Sequence, residues 1–446
     1  MRASDHRFGL AAEAYIFGYP LVSSVRLQTR LAVDGVGTAA GRGFNSFYHQ
    51  RELPGPNSEF VNVDGDLLSS MAQVDLTPGP FVLHVPDVGD RYFLLMFVDA
   101  WRNTFSYLGS GSGGGGGSYV LVPPGWPGRT PPTMTRIDAP TRLLTVLGRI
   151  GLADPREAAE VYRLQNGLHL HALDPDARLA EGPPERSKSV CDDLRFWEEL
   201  RIWLRAFPPP PAEFDHARRY APLGIFEDPS PYVDPDPSLT WSLRGGLRAG
   251  RDGLERLAQV GRAQRNGWSS APHALDFNLD FLGPGTRDEP AWRMVDREQA
   301  RIARAMAARS PFGPTHGYQS VHATCLVDGE GRRLTGAHRY TMDLAPPPAA
   351  MSWTLTMYDA PGYYLVDNPL SRYWLGSRTD GLRVRRDGSV RVLIQCDPPA
   401  AGADEEEQAN WLPAAPGDFR PMLRLDCPAP ETLERDIAPP SIQRID

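Results

Sequence analysis

The chain has 446 residues, with 47 Lys plus Arg against 55 Asp plus Glu and a formal net charge of −8. That balance argues against binding a phosphate backbone, which needs clustered cations to displace counterions, so no nucleic-acid partner is expected. The length exceeds what one hydrophobic core usually serves, and 43 Gly with 44 Pro favour short strands and loops over a helical bundle, so two strand-rich domains are expected.

Residues 7–33 carry Leu10, Ala14, Phe17, Leu21 and Val25 at three-four spacing, which predicts a helix that Pro20 should kink or interrupt. Short β-type runs follow at 66–76, 80–86, 91–98 and 119–122, with Val88-Gly89-Asp90 as a tight turn. Residues 109–118, GSGSGGGGGS, have the composition of a flexible loop or of a synthetic linker. No Lys-Ser/Thr and no helix follow them, so they are not a phosphate cradle.

From 155 to about 267 the pattern turns helical, at 156–165, 192–206 and 243–260, broken by the proline run 208–211; a further helix is predicted over 290–308. Beyond it, runs at 321–327 and 336–342 flank Asp328-Gly329-Glu330-Gly331, and runs at 382–386 and 390–396 flank Asp387-Gly388-Ser389. Both read as hairpins, because Asp-Gly tolerates the positive φ of the turn. With 351–358 and 419–425 they make a second antiparallel sandwich. The expected fold is mainly β with helical additions: two antiparallel β-sandwich domains, 1–154 and 311–446, joined by a helical connector at 155–310.

Cys191, Cys325, Cys396 and Cys427 are widely spaced with no CxxC, so buried thiols are expected rather than a zinc ribbon or a disulfide framework. Lys188 is the single lysine and lies in a polar stretch, which disfavours Schiff-base chemistry. No secretory signal is visible and no apolar run has the ~18 residues of a membrane span. A soluble cytoplasmic protein without a membrane partner is the expectation.

Several segments resemble one bacterial family of unassigned function, whose members pair the domains known as DUF1254 and DUF1214. Glu13-Ala14-Tyr15-Ile16-Phe17-Gly18-Tyr19-Pro20 resembles its N-terminal helix, Val85-Pro86-Asp87 with Arg91-Tyr92 a hairpin, and Asp99-Ala100-Trp101-Arg102-Asn103 its "DAWTN". In the second half the matching runs are 353–359, 366–373 and 410–413. The resemblance implies two jelly-roll-like β domains packed together, and self-association into a homo-oligomer. It implies no reaction. Where the family usually reads "PN.DTLYS", this chain has Asp64-Gly65-Asp66-Leu67-Leu68-Ser69-Ser70.

Three groups of residues are candidates for chemistry. Asp64 and Asp66 flank Gly65 at the entry to a strand, where residues two apart share a face; they form either an acid–base carboxylate pair or an Asx turn. Asp99, Trp101 and Asn103 share a face if their strand continues, an aromatic between polar groups as in small-ligand pockets, or else a core Trp and an ion-paired Asp. Tyr358, Asp359, Asn368, Arg372 and Tyr373 concentrate a carboxylate, an amide, a guanidinium and two phenols. Arg372 suits a substrate carboxylate and either tyrosine a proton donation, unless Arg372 staples the loop through Asp359 or Asp367.

Metal ligation has weaker support. His169 and His171 form an HxH pair in a predicted loop, and His322 and His338, with His316 nearby, lie on predicted hairpin partners. The acidic run 404–407 reads as a solvated loop. With no nucleotide fingerprint and no GxSxG, the leading expectation is an enzyme acting on a small organic ligand by cofactor-free acid–base chemistry: hydrolysis, elimination or cyclisation. Asp64, Asp66, Tyr358 and Asp359 are its catalytic candidates; Asp99, Trp101, Asn103, Asn368, Arg372 and Tyr373 are its substrate-binding candidates. The alternatives are a carbohydrate or small-ligand binding protein using exposed tryptophans (Trp101, Trp353, Trp374, Trp411), and a metal-dependent jelly-roll enzyme using His322 and His338.

Overall fold

The computed structural model describes residues 3–37, 39–152, 154–259, 264–310, 315–345, 351–434 and 439–446. Helix α1 (Ala3–Asp34) opens the chain and runs through Pro20 without interruption. Nine strands follow: β1 (Phe47–His49), β2 (Leu67–Asp75), β3 (Phe81–Val85), β4 (Phe93–Asp99), β5 (Thr104–Gly109), β6 (Gly117–Val122), β7 (Thr135–Asp138), β8 (Leu143–Gly151) and, after helix α2 (Ala158–Gly167), β9 (His169–Ala172). They form a five-stranded sheet, β1-β2-β8-β4-β5, packed on a four-stranded one, β7-β6-β3-β9. The HxH segment is therefore an edge strand rather than a loop.

Alternation explains how the larger sheet is buried on both faces. Phe93, Leu95 and Phe97 of β4 pack inside the sandwich with Leu68, Ala72 and Val74 of β2. Leu94, Met96 and Val98 point the other way, into a second core with Leu67, Met71, Tyr318 and Val321. That second core is the seam between the two halves of the protein.

Helices α3 (Arg195–Ala206), α4 (Pro211–Ala217), α5 (Pro237–Gln259) and α6 (Arg297–Ala307) form a layer with α1; α3, α5 and α6 fall on predicted helical runs, α4 follows the proline run, and the end of the predicted 243–260 helix, Val260, lies outside the described residues. Gly246 and Gly250 of α5 let α1 approach closely, because a Cβ would come within 2.3 Å of Ala11 Cβ at one and 2.8 Å of Tyr15 Cδ1 at the other. Among the described residues no helix is long and apolar enough to cross a membrane.

The second half has β10 (Trp268–Ser270), β11 (Ser320–Cys325), β12 (Tyr340–Leu344), β13 (Ser352–Asp359), β14 (Trp374–Gly376), β15 (Val390–Gln395), β16 (Trp411–Pro413), β17 (Phe419–Asp426) and β18 (Gln443–Arg444). Its sheets are ordered β10-β11-β17-β13-β14 and β16-β15-β12-β18. Adding nine to every strand of the first domain reproduces this order, including the parallel pairs β6/β7 and β15/β16 in otherwise antiparallel sheets.

The fold is thus duplicated, and the register matches residue by residue. One row across the first sheet reads Ser69, Arg149, Leu94, Gly109; the corresponding row of the second reads His322, Arg424, Thr354, Gly376. Beside it, Ser110 Oγ accepts from Phe93 N at 3.1 Å and Ser377 Oγ from Trp353 N at 3.2 Å. A Cβ on Gly109 or Gly376 would lie 2.2 or 2.3 Å from the facing carbonyl oxygen, so neither copy admits a side chain there.

Several expectations are corrected. Residues 382–386 form no strand; Arg385 N donates to Ser389 O and closes a turn ahead of β15. The 109–118 segment is docked: Ser112 N donates to Gly109 O, Ser112 Oγ meets Gln319, and a Cβ at Gly111 would come within 2.7 Å of Cys427 Sγ. Backbone hydrogen bonds and close approach order a segment that has few side chains to do so.

Candidate functional site

A cavity of about 910 Å³ lies where outer faces of the two five-stranded sheets meet. Leu67, Ser69 and Met71 of β2 line it with Leu147 and Arg149 of β8, all on the face turned away from the first sandwich core; His322 of β11 and Met422 of β17 come from the second domain. Residues 52–64, between β1 and β2, with Val36, Gly37 and Gln50, and Met306, Arg309 and Ser310 at the end of α6 complete the wall; Arg309 is paired with Glu255 at 2.8 Å.

The second domain holds that loop in place. Tyr358 Oη donates to Val63 O at 2.9 Å, Trp374 Nε1 donates to Gly65 O at 3.2 Å, and Arg420 reaches Asn62 while lying 3.7 Å from the centroid of the Tyr363 ring. On the other side Glu59 accepts from Gly37 N at 2.9 Å and pairs with Arg30 at 3.0 Å.

Beneath the loop lies a buried charge network centred on Arg424, whose side chain is 2% exposed. Its Nη1 is 2.6 Å from Asp64 Oδ1, its Nη2 is 2.8 Å from both oxygens of Asp66, and its Nε is 3.1 Å from Asp426. Arg378 also pairs with Asp66, and Ser352 Oγ donates to Asp426 at 2.8 Å. Asp64 and Asp66 meet on one guanidinium rather than on each other. Burial pushes the Asp64 carboxyl up, yet Arg424 and Arg149 outweigh it and hold the group well below the usual carboxylate range.

Two cavity groups are left with little to bond. The His322 ring makes no hydrogen bond among the described residues, and burial pushes its pKa down to about 4, against the pull of Asp64, so it is a neutral imidazole near pH 7. Arg149, 14% exposed, has Asp64 Oδ2 at 3.5 Å as its ion pair and makes no hydrogen bond among the described residues. The floor therefore offers a neutral base, an ionised carboxylate and a guanidinium with unused donors.

The other predicted site residues serve the scaffold. Asp99 Oδ1 accepts from Trp101 N and Asn103 N, both at 2.8 Å, and its Oδ2 from Asn103 Nδ2 at 2.9 Å; burial raises its pKa to about 6. The strand ends in that turn, so Trp101 enters the helical core and donates to Phe207 O. Asp359 occupies the equivalent position of the second repeat and accepts from Tyr364 N at 2.7 Å. Tyr358 is fully buried and its phenol is spent on Val63.

Asn368 closes its own loop through Arg372 N and O, Arg372 donates to Ala409 O and Trp411 O rather than to Asp359 or Asp367, and Tyr373 packs in a small cluster with Tyr358. Asp66 is 1% exposed and wholly engaged by arginines. His322 and His338 are not cross-strand neighbours: β11 pairs with β17, while His338 lies ahead of β12, in the other sheet, next to Asp446. The chain crosses between sheets after the Asp328 turn, which a local hairpin reading does not anticipate. Trp101, Trp353 and Trp411 are buried and Trp374 is half-buried, so they form no exposed aromatic platform. Among the described residues no group of three or more His, Cys, Asp or Glu is arranged to hold a metal ion.

Fold and site define a duplicated β-sandwich protein with a polar-floored cavity at the seam between its repeats. The chain belongs to the two-domain family of unassigned function described as "Protein of unknown function" DUF1254, matched over residues 44–172, and DUF1214, matched over 319–430. These matches fall on the two repeats, β1–β9 and β11–β17. The crystal structure of the VPA0106 protein from Vibrio parahaemolyticus is similar in fold, with a TM-score of 0.72 at 18% identity over 99% of this chain and 100% of that one. An uncharacterised Burkholderia cenocepacia protein aligns over 99% of this chain and 96% of its own at 12% identity, with a TM-score of 0.46. No curated protein matches the chain.

Proposed function

We propose that the protein is an enzyme that moves a proton on a small organic molecule held in the inter-domain cavity, using its own side chains. The observation that carries this reading is the His322 imidazole, kept neutral by burial and without a hydrogen bond among the described residues, in a cavity wall shared with ionised Asp64. A cavity of this volume matches the size range of small-molecule sites, with apolar walls for the ligand's body and a few polar groups to orient it.

His322 accepts the proton and Asp64 stabilises the imidazolium that results. The burial that keeps the ring neutral also makes it a weak base, so the proton it takes is an acidic one, beside a carbonyl or on an enol. Elimination beside a carbonyl and cyclisation through an enol contain such a step; in a hydrolysis the ring would take its proton from the attacking water instead.

The test incubates wild type and His322→Gln with a small-molecule cell extract and follows masses free and bound. The expected result is a component that wild type converts and that the variant binds without converting. A component bound but unchanged by both proteins would make this a binding protein, and equal conversion by both would remove His322 from the chemistry.

A further inference from the structure

We infer that the ligand of this cavity carries a carboxylate and that Arg149 seats it. This deepens the acid–base reading above and rests on it for the identity of the pocket. The duplicated fold supplies the reasoning, because Arg149 and Arg424 occupy the same position in the two repeats: each is cross-strand neighbour to residue 69 or 322 on one side and to 94 or 354 on the other.

In the second repeat that guanidinium is saturated with carboxylates. Asp426, two residues along β17, lies 3.1 Å from its Nε, and Asp64 and Asp66 take its two terminal nitrogens. In the first repeat the residue equivalent to Asp426 is Gly151, and the residues ahead of β11 that correspond to Asp64 and Asp66 are Gly317 and Gln319. None of these three positions supplies a carboxylate. Asp64 spends its Oδ1 on Arg424 at 2.6 Å and leaves Arg149 only a 3.5 Å contact.

Arg149 thus faces the cavity with a guanidinium that Asp64 holds only by one 3.5 Å contact, leaving its fork open to a second carboxylate. A planar carboxylate accepts two parallel N–H donors from such a fork. The adjacent Asp64 charge disfavours a dianion, which separates a carboxylate from a phosphate monoester. Leu147, Met71 and Met422 flank the position and suit an apolar body.

Calorimetric titration of the full chain with phenylacetate, its neutral analogue phenylacetamide, and phenyl phosphate tests this at constant ionic strength. Phenylacetate is expected to bind at least roughly tenfold more tightly than the amide, the scale of a charge-assisted hydrogen bond. Arg149→Gln should erase that preference and His322→Gln should keep it.

Gly151→Asp gives a second route that retains the arginine. It places in the first repeat the acid that the second repeat has, and a Cβ there meets nothing closer than Arg378 Nη1 at 3.3 Å. It should weaken phenylacetate as Arg149→Gln does. No heat with millimolar phenylacetate, equal affinity for acid and amide, tighter binding of phenyl phosphate, or indifference to both substitutions would overturn the assignment. The two readings fail separately: a carboxylate preference lost in Arg149→Gln, with conversion intact in His322→Gln, sinks the acid–base reading and leaves the seat. Conversion lost in His322→Gln without a carboxylate preference does the reverse.

Discussion

Replacing Arg424 by Met should loosen the seam between the repeats before it unfolds either one. The substitution removes the side chain that joins Asp64 and Asp66 of the first repeat to Asp426 of the second. Each acid keeps something: Arg149 for Asp64, Arg378 for Asp66, and Ser320 and Ser352 hydroxyls for Asp426. The loss is therefore that of breaking one buried ion-pair cluster, about 3–5 kcal/mol, rather than of three orphaned charges.

The sign of the pH dependence follows from the same network. In wild type the Asp64 carboxyl is held low, so its contribution is present above the unfolded pKa of about 3.9 and is lost only as pH falls through the lower folded value. In the variant Asp64 keeps only the 3.5 Å contact with Arg149, so burial raises its carboxyl, and its penalty is largest at pH 7 and is relieved as pH falls toward 5. Urea unfolding followed by tryptophan fluorescence and by calorimetry should show an early transition in the variant and a gap to wild type that narrows between pH 7 and pH 5. A loss below about 1 kcal/mol, or a gap independent of pH, would refute the reasoning.

Three further outcomes are expected. If His322 is the base, kcat/KM should be level from neutral pH downward and fall only as pH approaches about 4, where the ring takes its proton; a midpoint near 6.5 would mean that the ring is not desolvated. His316, 3% exposed and bonded through Nδ1 to Tyr107 Oη at 2.7 Å, is also held near 4 by burial. Its stabilisation is complete above about 6.5 and is lost as pH falls through 4, up to about 3 kcal/mol, so His316→Gln should flatten wild type's acid sensitivity in that window, read by denaturation midpoints at each pH. Gly109→Ala and Gly376→Ala should each cost stability by about 1–3 kcal/mol, because the new Cβ meets a backbone carbonyl in both repeats; calorimetry finding either one neutral would break the proposed equivalence.

The sequence made the large strands legible where one face is apolar or where a turn follows. It missed β8, LLTVLGRIG, because a central strand buried on both faces has no clean alternation. The duplication was hidden by divergence: along 93–100 and 353–360 the shared residues are Leu95/Leu355, Asp99/Asp359 and Ala100/Ala360. Those two aspartates look like site residues because each is a carboxylate beside aromatic and amide groups, yet each caps the same strand end.

Of the site, Asp64 is marked locally by its spacing from Asp66, while the strand pattern pairs His322 with His338 instead of with Asp64. Arg149 and Arg424 carry little local signal, since two of the three acids of Arg424 lie 358 and 360 residues away. Aligning the two repeats is the signal that would have exposed them. The unequal acids around equivalent arginines then mark the open position.

Turnover by wild type, His322→Gln, Asp66→Asn and Tyr358→Phe on one converted component tests the central claim most directly. The account predicts that His322→Gln binds the component but is at least about a hundredfold slower, while Asp66→Asn and Tyr358→Phe lose stability and, where folded, keep near-normal rates. A wild-type rate in His322→Gln, with activity instead abolished in folded Asp66→Asn or Tyr358→Phe, would contradict it.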